Sequence, residues 1–435
     1  MTDSAGIPGG TGAAGGGAKP PGRRRRLLRW TGVGAALFVV AGTGTGWWVY
    51  NKLNANITED SSAVAELERY ERERPARTAG GAENILLIGS DSRAGPGNAR
   101  YGLDGGRART TQRSDTTILL HVSADRRRAT AVSVPRDLMT EIPDCGRPDG
   151  SRTTRQYAQF NWAFEWGGAA CTIRTVEKLT GIRVDHHMVV DFRGFKKMVD
   201  AVGGVEVCLK TPIDDAEAKL KLPAGRHVLN GEQALGFVRA RYSLGNGSDT
   251  ERMQRQQQFL GSLVKKVQSN GVLLNPAKLY PLLDAATSSI TTDPGLASLR
   301  GLYELVRSVR DIPTGNVQFL TVPRHPYPAD PNRDELHEPD ASRLFGQLRA
   351  DRPLTLTPPE AGTEPGTASG TGASPEAEAE AEAEAEAEAG GDRTGHPEDR
   401  SPSPGTTAGP TARSSGTPSP DPTFTGTTAG AASCR

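Results

Sequence analysis

Arginines and aspartates of this sequence gather where its apolar runs stop. The run Ile85-Leu86-Leu87-Ile88 gives way to Gly89-Ser90-Asp91-Ser92-Arg93, and the run 116–122 is preceded by Arg113-Ser114-Asp115. A third run, 129–134, stops at Pro135-Arg136-Asp137. Farther on come Arg239-Ala240-Arg241, then Asp249, Arg252, Arg255 and Gln256. A guanidinium presents a planar fork of donors that matches phosphate oxygens. Carboxylates alone repel a phosphate, but with Mg2+ between the two they help to hold it. Several arginines beside two or three aspartates therefore point to a pyrophosphate ligand with a divalent metal. A network of structural Arg–Asp pairs is the competing reading of the same composition.

Those side chains need elements to hold them. The run 85–88, bounded by Gly89, reads as a buried strand. The run 116–122 is rich in β-branched and aliphatic residues, and 129–134 alternates before Pro135, so both read as strands. Positions 162–179 have helical spacing up to Gly181, 188–190 read as a strand, and 192–202 as a helix stopped by Gly203-Gly204. A strand at 205–209 follows, then helical patterns at 231–239, at 250–267, around Tyr280 and around Leu302, and a last strand at 317–322. Strands and helices alternate without a strict βαβ rhythm. This predicts one α/β (α+β) domain over 84–350, with a central mixed β-sheet flanked by helices. Loops past the strand ends are where such sheets place ligand sites. Arg126-Arg127-Arg128 falls between two strands and reads as a solvated hairpin turn rather than a nucleic-acid patch. His186 and His187 are neighbours on a strand and point to opposite faces, which argues against a metal pair. His325 and His337 lie in a Pro-rich stretch that reads as a solvated loop.

The ends are different material. The chain has 435 residues, 52 of them Gly and 31 Pro, and only 35% are hydrophobic. That is too dilute for three packed domains and fits one core with segments unable to bury enough surface to order. The net charge of +1 is an average: residues 351–435 hold 14 acidic and 5 basic side chains, so the remainder is basic. Residues 1–29 read as a disordered basic N-terminus, with Arg23-Arg24-Arg25-Arg26 and Arg29 at its end. Residues 30–50 carry no charge. As a helix they span about 31 Å, against about 30 Å of hydrocarbon. Trp30 at one end and Trp47, Trp48 and Tyr50 at the other suit the two interfaces. The arginine cluster predicts a cytoplasmic N-terminus for this transmembrane helix, with everything after Tyr50 extracytoplasmic. Residues 51–83 read as a polar stalk, helical over 63–74. In 376–388 seven glutamates alternate with alanine. Spread over every side of a helix, they leave no apolar stripe, so 351–435 is expected to be a disordered acidic Glu-Ala and Ser/Thr/Pro-rich tail. Four cysteines fit an oxidising compartment. Cys145, after a loop, and Cys171, in a helical stretch, are the favoured disulfide pair, and the spacings match no zinc motif.

In order and spacing, several stretches resemble the LytR-CpsA-Psr family over about residues 84–270. They are 84–93, Arg113-Ser114-Asp115-Thr116, Val134-Pro135-Arg136-Asp137-Leu138, Asp191-Phe192-Arg193-Gly194-Phe195, Val202-Gly203-Gly204-Val205, 231–235, Val238-Arg239-Ala240-Arg241-Tyr242 and 249–257. The resemblance suits the cell-wall enzymes of actinobacteria. It implies a membrane-anchored phosphotransferase with its catalytic domain outside. Such an enzyme moves an anionic glycopolymer from a polyprenyl-pyrophosphate carrier to the C6 hydroxyl of peptidoglycan N-acetylmuramic acid, assisted by Mg2+. At matching positions it implies catalytic roles for Asp91, Asp115 and Arg136, with Asp91 and Asp115 on the metal side. It likewise implies pyrophosphate contacts from Arg93, Arg113, Arg136, Arg239, Arg241, Asp249, Arg252 and Gln256. The lipid would lie in an apolar tunnel for which Phe160, Phe164, Phe195, Phe237, Phe259, Leu260 and Leu263 are candidates. Expected partners are the lipid-linked glycopolymer, peptidoglycan and the membrane, with no nucleic acid. A pyrophosphatase that only releases the carrier would use the same site. A membrane-bound transcriptional regulator is disfavoured, because no helix-turn-helix or zinc pattern is present and the anchor places the domain outside.

Overall fold

The apolar runs become the middle of a mixed sheet. The structure is a computed structural model and describes residues 23–91, 112–240, 249–269, 276–358 and 422–431. Helix α1 (Arg23–Asn56) leads into strand β1 (Thr58–Glu59) and helix α2 (Ser61–Arg69), which Asp60 caps by accepting the Ala63 N–H at 3.0 Å. Strands β2 (Glu83–Ser90), β3 (Ser114–Val122) and β4 (Ala129–Val134) follow, then a hairpin of β5 (Met139–Ile142) and β6 (Gln156–Gln159). Next come α3 (Trp162–Thr180), β7 (His186–Asp191) and α4 (Phe192–Ala201). Strands β8 (Val205–Leu209), β9 (Ile213–Asp215), β10 (Leu220–Leu222) and β11 (Gly225–Leu229) form two antiparallel pairs, β8 with β11 and β9 with β10. Helices α5 (Gly231–Arg239) and α6 (Asp249–Ser269) pack beside them. After α7 (Pro276–Thr287), β12 (Ile290–Thr292) and α8 (Leu299–Arg310), the chain returns to the sheet as β13 (Val317–Thr321). A hairpin of β14 (Arg324–Tyr327) and β15 (Asp330–Leu336), then α9 (Asp340–Arg349), β16 (Thr355–Thr357) and β17 (Thr423–Thr428) complete the described elements.

The main sheet runs β1-β12-β7-β2-β3-β4-β13-β17-β16. Neighbours β2 and β7, and β4 and β13, are parallel, while β3 is antiparallel to both β2 and β4. Successive side chains of β2 enter different cores, as a strand's pleat requires. Leu86 and Ile88 pack with Ile173 of α3 and Leu344 of α9 on one face. Ile85 packs with Ile118, Phe319 and Ile312 on the other, against Leu260 of α6 and Leu305 of α8. Burial on both faces is why the run 85–88 is apolar without interruption. A third core joins Val205, Val207, Leu229, Phe237 and Phe259.

Three boundaries depart from the sequence reading. The charge-free stretch 30–50 lies inside a longer helix, and the part apolar enough to cross a membrane runs Trp30–Asn56. Its end is anchored: Leu53 is buried, Asn56 Nδ2 donates to Asp284 Oδ1 at 3.1 Å, and the Leu299 N–H donates to Asn54 Oδ1 at 3.1 Å. Residues 51–83 are not a free stalk. β1 joins the sheet beside β12, Ala63 and Leu67 of α2 enter the core, and the helix there ends at Arg69 rather than at 74. Beyond it, the buried Arg74 guanidinium pairs with Glu177 on α3 at 2.7 Å. The expected tail from 351 is also subdivided. β16 and β17 pair in parallel, and β17 lies antiparallel to β13 with Phe424 buried, while 359–421 lie outside the described residues.

The turn at Arg126-Arg127-Arg128 joins β3 to β4 as expected, with Arg126 at φ 57°. Cys145 and Cys171 form the expected disulfide, tying the segment after β5 to α3, and Cys208 is disulfide-bonded as well.

Candidate functional site

Five strand termini converge at one edge of the main sheet. β2, β4, β7 and β13 end there and β3 begins there, as their pairing directions require. Asp91 follows β2 and Arg113 precedes β3, so the two face each other: the Asp91 N–H donates to Arg113 O at 3.0 Å, and the Arg113 N–H donates to Asp91 Oδ1 at 2.6 Å. The Arg113 side chain reaches across to α3, where its Nε meets Glu165 Oε2 at 2.6 Å.

Asp115 owes its position to a bulge. Gly89 pairs with Thr116 and Ser90 with Ser114, so Asp115 is the extra residue on β3. A bulge bends its strand and re-aims the side chain it carries, a device common beside ligand sites. The re-aimed carboxylate meets the first residues after β4. Arg136 Nη1 lies 3.1 Å from Asp115 Oδ1, and Arg136 Nε lies 3.0 Å from Asp137 Oδ2. Asp137 Oδ1 in turn accepts Gln159 Nε2 of β6 at 3.0 Å. The Asp115, Arg136 and Asp137 side chains are only partly exposed, at 29%, 23% and 19%.

β7 and α4 supply the next wall. Ser90 pairs with Asp191, whose Oδ1 caps α4 by accepting the Gly194 N–H at 2.7 Å. That cap sets Phe192, and the guanidinium of Arg239, at the end of α5, lies 4.9 Å from the centre of its ring. Helix α6 runs across the same region. Arg252 and Arg255 are buried on it, and Arg255 donates to Ala240 O. Gln256 Nε2 donates to Val238 O at 3.2 Å, and Gln257 Nε2 to Thr321 Oγ1 at 3.0 Å.

The residues expected from the sequence therefore divide. Asp91, Arg113, Asp115 and Arg136 sit together at the strand ends, and Arg239, Arg252 and Gln256 come from α5 and α6 around them. Arg93 and Arg241 lie outside the described residues, and of Asp249 only its place at the start of α6 is described. Gln256 points to a backbone carbonyl rather than into the cluster. Glu165 and Gln159 were not legible as site members. Glu165 is 52 residues from the arginine it holds, and no spacing marks it.

The apolar tunnel candidates also divide. Phe160 and Phe164 belong to the core on the α3 face, Leu260 packs against the opposite core, and Phe195, Phe237, Phe259 and Leu263 gather with β8 and β11. They fall in three separate cores. A small cavity of about 140 Å³ lies elsewhere, among α2, α3 and the start of β7, lined by Arg74, His186, His187 and Asp293. His186 is at the opposite end of β7 from Asp191, so this cavity is remote from the strand-end cluster. Within it His186 pairs with Asp293 at 2.9 Å and His187 faces Asp60 at 3.5 Å, so the two rings turn to different partners.

The arrangement suits a doubly anionic ligand. Guanidinium forks supply planar donors, and the two carboxylates at the same edge are hard oxygen ligands. Among the described residues no three His, Cys, Asp or Glu side chains form a protein-only cage for a metal. The donor set fits Mg2+, which is commonly held by one or two carboxylates together with substrate phosphates.

Comparison with known proteins gives a consistent answer. The LytR_cpsA_psr family model matches residues 53–345. The cell wall biosynthesis protein LcpA of Corynebacterium glutamicum is 37% identical over 266 residues, which is 56% of this chain and 50% of that protein. The polyisoprenyl-teichoic acid–peptidoglycan teichoic acid transferase TagT of Bacillus subtilis is 27% identical over 298 residues, covering 66% of this chain and 84% of TagT. The chain thus spans about half the length of the corynebacterial relative. A crystal structure of a Streptococcus agalactiae protein superposes with a TM-score of 0.50 at 23% identity, over 63% of this chain and 89% of that one, which shows a shared fold.

Proposed function

Because the chain belongs to the LytR_cpsA_psr family, we propose that it is a cell-wall phosphotransferase. It moves an anionic glycopolymer from a polyprenyl-pyrophosphate carrier to the C6 hydroxyl of N-acetylmuramic acid in peptidoglycan. The observation that carries this reading is the meeting, at the same strand ends, of the Arg136–Asp115 ion pair with Asp91, whose carboxylate accepts the Arg113 backbone N–H. The printed names of LcpA and TagT, a cell-wall biosynthesis protein and a teichoic acid transferase, point the same way.

Phosphoryl transfer asks a protein mainly for positioning and charge stabilisation. Arg113, Arg136 and Arg239, with Arg93 and Arg241 by their sequence positions, bind the pyrophosphate oxygens. Arg252, Gln256 and Asp249 flank them. The sugar hydroxyl oxygen bonds to the phosphorus that carries the glycopolymer. The bridging P–O bond breaks, polyprenyl phosphate leaves, and a phosphodiester remains. Asp115 or Asp91 accepts the hydroxyl proton. Arginines at the equatorial oxygens oppose the charge that develops there and on the leaving phosphate. Asp91 and Asp115 would hold Mg2+, which supplies further neutralisation of the phosphate oxygens when bound.

The spanning helix Trp30–Asn56 supports a single-pass membrane protein with its N-terminus in the cytoplasm and the catalytic domain outside. A topology reporter inserted within 359–421, which leaves β16 and β17 intact, reports the side; cytoplasmic activity would sink the transferase reading.

The decisive experiment supplies the full chain in vesicles with Mg2+, a lipid-linked glycopolymer and muramidase-released peptidoglycan fragments. The expected product is polymer joined to glycan through a phosphodiester. Polymer phosphate released into solution and never joined to glycan would replace the reading with a pyrophosphatase.

A further inference from the structure

Large apolar side chains at a protein surface mark contacts when they cluster beside a site. Outside α1, the described residues expose four: Tyr157, Val228, Tyr303 and Val306. Tyr157 is the one beside the strand-end cluster, and it is 53% exposed.

Its place follows from the β5–β6 hairpin. β5 begins two residues after Asp137, and Met139 pairs with Gln159 while Glu141 pairs with Tyr157. Ala158 points into the core and is buried, so Tyr157 and Gln159 share the outer face. Two residues along a strand is about 6.7 Å. Gln159 is the residue that donates to Asp137, which holds Arg136. Tyr157 therefore stands one strand repeat beyond Gln159, which is linked to Arg136 through Asp137.

A second aromatic completes the surface. Tyr327, on the β14–β15 hairpin, has its ring centre 6.2 Å from that of Tyr157, with the planes inclined at 50°. This hairpin is fastened to the same site. The Asp334 N–H donates to Asp137 O at 3.3 Å, Leu138 bridges to Asp334, and Arg324 pairs with Asp334. Burial, together with Glu335 and Tyr327, pushes the Tyr157 phenol up, which keeps it a neutral donor.

We infer that Tyr157 and Tyr327 form a stacking platform for the acceptor glycan, an uncharged N-acetylated aminosugar backbone, and position it toward Arg136. The inference rests on the transferase reading above. The C–H face of a pyranose carries partial positive charge that suits the negative face of an aromatic ring. The surrounding charges argue for the acceptor rather than the anionic donor. Glu141 is paired with Arg155 and Lys178, Asp330 with Arg333, and Asp334 with Arg324, and Glu335 beside Tyr157 is a fourth acid against these four bases, so the surroundings offer an anionic polymer no net attraction. The arginines that favour an anion stand inward, at the strand ends.

The test uses the full chain in phosphatidylglycerol vesicles, with saturating lipid-linked polymer and a muramidase-released peptidoglycan tetrasaccharide as variable acceptor. Tyr157→Ala and, independently, Tyr327→Ala are each expected to raise the acceptor KM about tenfold, the size of a good aromatic contact. The change falls on acceptor KM rather than on kcat or donor KM, and Tyr157→Trp recovers the wild-type value. An acceptor KM unchanged in both alanine variants, or a donor KM that rises in step, overturns the platform while leaving the transferase intact. A wild-type protein that consumes the donor and leaves the tetrasaccharide unmodified overturns the transferase reading itself, and the platform with it.

Discussion

Arg136 Nη1 lies 3.1 Å from Asp115 Oδ1, and the contact exists because Asp115 is the extra residue of a bulge. An arginine at the end of one strand is thereby tied to an acid at the start of its neighbour. Arg136→Ala is expected to weaken polyprenyl-pyrophosphate binding by about 1.5–3 kcal/mol, the worth of a hydrogen bond to a charged group. Titration calorimetry on the full chain measures it. In a double-mutant cycle with Asp115→Ala, the two losses should fail to add by about 0.5–3 kcal/mol. Unchanged affinity in Arg136→Ala removes that residue from the site.

Asp60 predicts a response to acid. Burial disfavours its charge, but the facing His187 ring, the Ser62 hydroxyl and the Ala63 N–H outweigh it and bring the carboxyl to about 2. The unfolded value is about 3.9, so the folded state gains when Asp60 is ionised. That stability is fully present above about pH 4 and fades as the pH falls toward 2. Its size is about 2 kcal/mol. Asp60→Asn keeps the helix cap and removes the charge. Thermal melts should show wild type ahead at pH 6 and the gap closing by pH 2–3; a gap independent of pH would contradict the assignment.

Arg74 and Glu177 form a buried pair with two short contacts, 2.7 Å and 3.0 Å, and Glu177 is almost fully enclosed. Removing the cation strands an acid in the interior. Arg74→Met should cost about 3–5 kcal/mol near neutral pH. Urea unfolding measures it, and a loss below about 1 kcal/mol would mean that solvent reaches Glu177 after all.

The disulfide between Cys145 and Cys171 closes a loop with a sequence separation of 26. Chain-entropy bookkeeping gives about 3.5 kcal/mol for a loop of that size. The double variant Cys145→Ser/Cys171→Ser should lose a comparable amount in denaturant titrations. Retained stability would show that the surrounding core around Ile142 and Ala163 suffices.

Phe424 carries the last strand. It is 5% exposed and packs with Leu320 and Leu354 in the core that contains Phe345. Phe424→Ala is expected to destabilise the domain by about 3–5 kcal/mol. Hydrogen exchange should then rise first in β17 and β16. Protection that stays unchanged there would contradict a role for this strand in the fold.

The sequence made the centre of the sheet legible because β2, β3 and β4 are apolar runs, with Gly89 near the end of β2 and Pro135 directly after β4. Their ends carry Asp91, Asp115 and Arg136, so the gathering of these three at neighbouring strand ends could be read without a structure. Other parts depend on partners far along the chain. The 51–83 segment is rich in charge and reads as solvated, yet Arg74 finds Glu177 103 residues later. The bulge at Asp115 is a property of strand pairing rather than of either strand. β14 and β15 contain Pro326 and Pro331 and read as a loop; in a two-stranded hairpin outside the main sheet, a missing N–H on the outer side costs little. β17 has one large apolar residue, Phe424, in a Thr- and Gly-rich setting, and only its place between β13 and β16 makes it a strand.

That last strand changes what a truncation of the chain would do. β17 follows the Glu-Ala run in sequence, yet it pairs with β13 on one side and β16 on the other. A chain cut before Thr423 therefore loses more than its acidic repeat. It uncovers the N–H and C=O groups of β13 along one whole side, and an unpaired strand side is a template for pairing with another chain. Removing the tail would trade a monomer's covered strand for an aggregation-prone one.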